Sequence, residues 1–207
     1  GINLAEGDRV ISMTILRHSD HTADERRDYI QAANAKRRLA VEDSERSAED
    51  LARDQEKVAL LDDPKYAEMA ELEETIITVS DRGMGQLCST YDYRVTGRGG
   101  KGIGNMDLRN QGETVAASFI IEPELDELML VTNGGQIIRM PVAGIRQVSR
   151  NSKGVRLFNV ADGQRVVSVA KLRDESSDED EDGEEGVEGV QDDGANGEAN
   201  GEGENGE

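Results

Sequence analysis

Tryptophan is absent from the 207 residues, and phenylalanine, histidine, proline and tyrosine are scarce at two, two, three and four copies. So few aromatic rings argue against stacking of single-stranded bases as a main binding mode. A single cysteine, Cys88, excludes an internal disulfide and agrees with a reducing cytoplasm. No apolar run approaches membrane-spanning length, and nothing resembles a signal peptide. Material for nucleophilic or metal chemistry is also thin. His18 and His21 sit beside Asp20 and Asp24, but their spacing matches no strong zinc pattern and reads as a solvated helix start. Cys88 has no base near it in sequence. Tyr91 and Tyr93 flank Asp92 on an expected strand and read as packing or surface residues. Asp62-Asp63 reads as a helix boundary.

Charge and glycine divide the chain. From Asp174 onward there are sixteen acids and no base. Residues 17–74 contain no glycine and carry ten bases against seventeen acids. Residues 75–173 carry thirteen bases against nine acids, so the net charge of −20 hides a basic middle. Arg139, Arg146, Arg150, Lys153 and Arg156 form a run of five bases with no acid between them.

That basic region repeats. Val79-Ser-Asp-Arg-Gly83 aligns with Val131-Thr-Asn-Gly-Gly135, 52 residues on, and Arg94, Arg98, Lys101 and Gly102 fall on Arg146, Arg150, Lys153 and Gly154 without a gap. After a one-residue slip, Gly112-Glu-Thr-Val115 matches Gly163-Gln-Arg-Val166, and Gly7-Asp-Arg-Val-Ile-Ser12 reads as the tail of a third copy. A period near 50 residues marks a propeller or array, whose units bury their cores against one another. Each unit is expected to hold four strands, in the second unit near 127–132, 136–140, 155–160 and 164–172. Two units and a fraction are too few for such an array, so further blades are expected before residue 1. Residues 1–16, with the run Arg9–Leu16, read as the closing strand of a preceding blade. The blades proper are expected over 75–122 and 123–173.

Residues 17–74 read as a helical insert. Thr22-Ala-Asp-Glu25 has capping-box spacing, Ser47 is placed to cap a second helix with Leu51, Val58 and Leu61 on one side, and Asp63-Pro64 starts a third. Arg26-Arg27 and Lys36-Arg-Arg38 have acidic neighbours and read as parts of a salt-bridged, exposed helix. Residues 174–207, all acid, glycine, asparagine and serine with little else, are expected to be disordered. The fold class is therefore mainly β, with an inserted helical segment and an acidic tail.

The densest stretch is Arg94-Val-Thr-Gly-Arg-Gly-Gly-Lys-Gly102, which joins three cations to four glycines. Glycines let backbone N–H groups approach an anion closely, so a phosphate backbone is the plainest target. Gly97, Gly99 and Gly102 formally satisfy a dinucleotide-binding pattern, but no convincing helix follows, and a Walker-type loop would need serine or threonine after Lys101.

Tyr93-Arg-Val-Thr-Gly-Arg-Gly-Gly-Lys-Gly-Ile103, together with Val131-Thr-Asn-Gly-Gly-Gln-Ile-Ile-Arg139 and Ser152-Lys-Gly-Val-Arg156, resembles the blade loops in the C-terminal domain of the DNA gyrase A subunit. The likeness covers residues 1–16 and 75–173, and the tail by composition. It implies the last two blades, and part of a third, of a six-bladed β-pinwheel that wraps duplex DNA for ATP-dependent negative supercoiling. It also implies the rest of the A subunit, together with the B subunit, as partners in an A2B2 enzyme, in the bacterial cytoplasm and on the chromosome. No cofactor is expected in this stretch, because the family's ATP and Mg2+ chemistry and its cleavage tyrosine belong to regions not present here. The DNA-binding residues expected are Arg94, Arg98, Lys101, Gly102, Arg146, Arg150, Lys153 and Arg156. The related A subunit of topoisomerase IV, and a protein-binding propeller without a nucleic-acid role, are the alternatives.

A polyanionic tail tethered to a basic rim competes with DNA from within the same molecule. Deleting the residues after Arg173 is therefore expected to tighten DNA binding at low salt; a purely solubilising tail predicts no change.

Overall fold

The computed structural model describes residues 3–41, 46–108 and 112–173; the acidic tail of the sequence analysis lies outside them. Seven strands and three helices are described. Their order is α1 (Ala23–Leu39), α2 (Ala48–Val58), α3 (Pro64–Leu72), β1 (Thr75–Ser80), β2 (Met84–Ser89), β3 (Val115–Ile121), β4 (Asp126–Thr132), β5 (Ile137–Pro141), β6 (Val155–Arg156) and β7 (Val166–Arg173). The architecture is thus mixed helix and antiparallel sheet rather than mainly β.

The repeat is visible in the hydrogen-bond registers. In each unit the first strand sits at the centre of an antiparallel sheet, flanked by the strand that follows it through a tight turn and by the last strand of the unit. The β1–β3 register shifts between Val79 and Ser80, and the β4–β7 register shifts between Val131 and Thr132. The two bulges fall on aligned positions, so the repeat carries a local bend as well as residue types.

One expectation is corrected. The units do not each hold four strands of their own. β6, from the second unit, leaves its own sheet and pairs with Met84 and Gly85 of β2, giving the order β3-β1-β2-β6, while β5-β4-β7 stay together. The exchange requires close backbone approach. Gly154 enters β6 at a φ of 69°, and a Cβ there would stand 2.2 Å from the Gly85 carbonyl oxygen. Only glycine accommodates both demands. The expected strand at 155–160 is therefore only two residues long.

A second difference concerns Arg9–Leu16. Its apolar residues suggest a strand, but no strand forms there, and Val10, Met13 and Ile15 are 66%, 87% and 86% exposed. A strand needs a ladder partner; among the described residues this segment has only isolated bonds, such as Ser12 Oγ donating to the Ser118 carbonyl at 3.0 Å.

Both units share one core. Ile77, Val79, Leu87 and Ile121 of the first pack with Leu128, Leu130, Val142 and Val166 of the second. A fully buried side chain of this kind contributes about 1.5–3 kcal/mol. An ion pair seals the seam: Asp81, in the β1–β2 turn, accepts from Arg165 and from the backbone N–H of Thr114 at 3.1 Å, while Arg165 also donates to the Gly112 carbonyl at 2.8 Å.

The insert forms as its caps dictate. Thr22 and Glu25 make a reciprocal capping box, and Ser47 and Asp63 cap α2 and α3. Tyr29 of α1 meets Tyr91 edge-to-face with ring centroids 5.3 Å apart, and Tyr91 donates to the Met69 carbonyl at 2.9 Å. This contact seats the insert on the first blade. The second helix departs from expectation, since Leu51 is exposed and the buried residue is Asp54. Arg38 holds the Asp54 carboxylate from α1 at 2.5 and 3.0 Å, and Arg46 holds it from the segment before α2.

The Arg38 bonds, with Arg46, hold the Asp54 carboxyl down at about 2 despite its burial, below the ordinary 3.8. A carboxyl depressed on folding stabilises the folded state above its unfolded value and loses that contribution as pH falls through the folded value. Helical circular dichroism should therefore decline between pH 4 and 2. Asp54→Asn should remove that part of the pH dependence and cost about 2–3 kcal/mol at neutral pH; an unchanged acid transition in the variant would contradict the assignment.

Candidate nucleic-acid interface

β2 ends in a single 3-10 turn, Thr90–Asp92, and the chain then leaves the blade as a loop in which residues 94–102 are all exposed. Gly99, in the turn at residues 98–99, and Gly102 take positive φ values of 75° and 79°. What fixes this exposed loop is its neck. Tyr93 donates its hydroxyl to Asn105 Oδ1 at 2.5 Å, closing the two ends on each other. Asn105 Nδ2 donates to Thr78 Oγ1 on β1 at 2.8 Å, and Gln86 Nε2 on β2 donates to the Asn105 carbonyl at 2.8 Å. Thr78 and Gln86 are fully buried, so the neck is anchored inside the blade. Bonds shielded from water in this way resist competition, and leaving any partner unsatisfied is costly.

The second unit holds the same neck from outside. Arg150 donates through Nε to the Asp92 carbonyl at 3.3 Å and through Nη1 to the Gly104 carbonyl, one on each side of the loop. Half-buried, it serves as a clasp. Two backbone bonds then join the loops: Asn151 N–H donates to the Asn105 carbonyl at 2.7 Å, and Asp107 N–H donates to the Ser152 carbonyl at 2.9 Å. Ser152 Oγ adds a 2.8 Å bond to Gln86 Oε1.

The eight expected residues therefore differ in station. Arg94, Arg98, Lys101, Arg146 and Lys153 are exposed and make no ion pair among the described residues. Lys101 precedes Asn105 by four residues, and Lys153 follows Asn151 by two, so the two lysines belong to loops that are bonded to each other. Arg156, on β6, is exposed with a 3.4 Å bond to Asn159. Gly102 gives the loop a residue of positive φ, and Arg150 works on the neck. Arg139, from the same basic run, pairs with Glu127 across the β4–β5 ladder.

The surroundings offer cations and backbone rather than reactive groups. Burial pushes the Tyr93 phenol up, as does its bond to Cys88 at 3.0 Å, and burial pushes the Cys88 thiol up. Both are thereby held in their neutral, unreactive forms. Asp92 is likewise pushed up by burial, against the opposing pull of the Arg150 backbone N–H and charge. Among the described residues no group of three or more His, Cys, Asp and Glu could hold a metal ion. Sequence reasoning missed Asn105, Gln86 and Ser152; the one signal was a glutamine between Gly85 and Leu87 on β2.

The profile of a family described as the DNA gyrase C-terminal domain, a β-propeller, matches residues 74–121 and 126–173. The DNA gyrase A subunit of Granulibacter bethesdensis is 40% identical over 186 residues, covering 87% of this chain and 20% of that protein. Its counterpart in Rickettsia bellii is 40% identical over 182 residues, covering 88% of this chain and 19% of its own. The Staphylococcus aureus (strain MRSA252) counterpart matches over 107 residues at 38% identity, covering 52% of this chain and 12% of its own. The chain thus spans about a fifth of the length of the first two relatives. Among solved structures, the C-terminal domain of DNA topoisomerase IV superposes on 49% of this chain and 32% of its own, at 22% identity and a TM-score of 0.45.

Asn105→Ala removes the three bonds of the Asn105 side chain, to Tyr93, Thr78 and Gln86, and leaves the Thr78 and Tyr93 hydroxyls short of a partner. It should cost about 1–3 kcal/mol and speed amide exchange across residues 94–104 while the β1–β2 hairpin stays protected. Unchanged exchange in that loop would show that the neck does not hold it.

Proposed function

Because its two repeat units belong to the DNA gyrase C-terminal domain family, we propose that this chain binds and wraps duplex DNA along the edge formed by the two joined loops. On this reading it serves the A subunit of a type II topoisomerase, working with the remainder of that polypeptide and with the B subunit to introduce negative supercoils. ATP and Mg2+ act elsewhere in that enzyme, and the setting is the bacterial cytoplasm. Among the described residues no helix is long and apolar enough to cross a membrane.

The observation that supports the reading is the pair of backbone bonds linking Asn151 and Ser152 to Asn105 and Asp107, just beyond the glycine-rich loop, which ties the segment carrying Arg94, Arg98 and Lys101 to the one carrying Arg146 and Lys153. Bending DNA by 40–90° over a short site costs roughly 1–6 kcal/mol. Successive phosphate contacts offset that cost by releasing condensed counterions. Loops tied at the neck suit the task, since restricting a segment before it binds lowers the cost of ordering it. On this reading the cations and loop N–H groups engage the phosphate backbone, contacts that position a duplex without specifying its sequence. A protein-binding propeller would use an apolar patch, whereas this edge presents five cations free of ion pairs among the described residues.

Arg98→Ala combined with Lys101→Ala should weaken duplex binding equally across sequences and flatten the logarithmic salt dependence by about 2, close to one for each phosphate no longer engaged. An unchanged affinity and slope would exclude this edge as the DNA path.

A further inference from the structure

The helical insert also contributes to that edge. Between α1 and the root of the 94–103 loop lies a groove of about 370 Å³, walled by Arg26, Arg27, Gln31 and Asn34 on one side and by Arg94 and Ser149 on the other. The three segments come from the insert, the first unit and the second unit, so the groove opens where the two loops meet. Its cations are not equivalent. Arg27 pairs with Asp24 at 2.9 Å and with Asp28 at 3.6 Å. Arg26 has no carboxylate partner among the described residues, and its Nε atom is buried without a hydrogen bond. Arg94 across the groove is exposed and free of ion pairs among the described residues.

Arg37 and Arg82 have such an Nε too, but Arg26 also shares a groove with a second arginine free of ion pairs among the described residues. An oxyanion in the groove would be met by the guanidinium groups of Arg26 and Arg94, which favour phosphate in forked geometry. A base is a poor occupant. The aromatic ring on the wall, Tyr91, already packs edge-to-face against Tyr29, and its hydroxyl is committed to the Met69 carbonyl. The one carboxylate on the wall, Asp92, receives the Arg150 backbone N–H at 3.3 Å.

We propose that Arg26 and Arg94 grip a backbone phosphate of the duplex in this groove, so that the insert lengthens the DNA path beyond the blade loops. The proposal rests on the DNA-wrapping reading and adds a contact that no blade supplies.

The test is fluorescence anisotropy of the full chain with a labelled duplex across a salt series, with helicity followed by circular dichroism. Arg26→Gln should lower affinity several-fold at low salt and flatten the salt slope by about 1. Arg26→Lys, which keeps the charge, should preserve the slope. Ser149→Glu places a carboxylate on the opposite wall without touching the insert and should also weaken binding. The inference is overturned if Arg26→Gln keeps its helicity and binds like the parent. Should that variant lose helicity, parental binding by Ser149→Glu overturns it instead. In either case a loss of binding in the Arg98/Lys101 double variant leaves the wider DNA reading standing. Parental binding by that double variant removes the reading and the inference together.

Discussion

The hydrogen bond from Tyr93 to Asn105 decides what the glycine-rich loop can be. A ten-residue excursion with four glycines would sample many shapes if its ends were free, because glycine restricts the backbone least. Tying the ends shortens the loop's effective freedom, and the buried Thr78 and Gln86 make the tie part of the blade interior. Arg150 completes it from the neighbouring unit. The cations at 94, 98 and 101 are thus carried on a frame set by residues outside the loop.

The same logic runs between the units. β6 crosses to the neighbouring sheet, the apolar core is common to both units, and Arg165 spans both hairpin turns by bonding Asp81 and, through its backbone N–H, Asn133 Oδ1 at 2.9 Å. Repeat proteins distribute stability over such shared interfaces. The consequence for function is geometric: the loops of successive units cannot drift apart without breaking a strand pairing. That coupling is what a curved path for a stiff polyanion requires.

The framework of this arrangement was legible in the sequence because it repeats. Val79 and Val131 lie on aligned strands with aligned bulges, and the capping residues Thr22, Ser47 and Asp63 stand where their helices begin. What could not be read depends on pairings between distant residues. β6 is two residues long and finds its partner some 70 residues back, a distance that no local periodicity encodes. Arg150 aligns with the exposed Arg98 yet turns inward, because carbonyls from the other unit are there to receive it. Asp54, on a helix whose sequence suggested a leucine face, is buried only because two arginines meet it. Arg26 reads in the sequence as one more charge on a solvated helix, and its place in a groove with Arg94 depends on a packing that no local pattern signals.

The central claim is that the two loops act as one track, and Lys101 and Lys153 report on it directly. Lysine-reactive footprinting of the chain, titrated with duplex DNA at low salt and using Lys57 of α2 as the internal reference, measures both at once. The account predicts that the two lysines become protected together, with a common midpoint, while Lys57 stays reactive. Protection of one without the other, or of neither at saturating DNA, would contradict it.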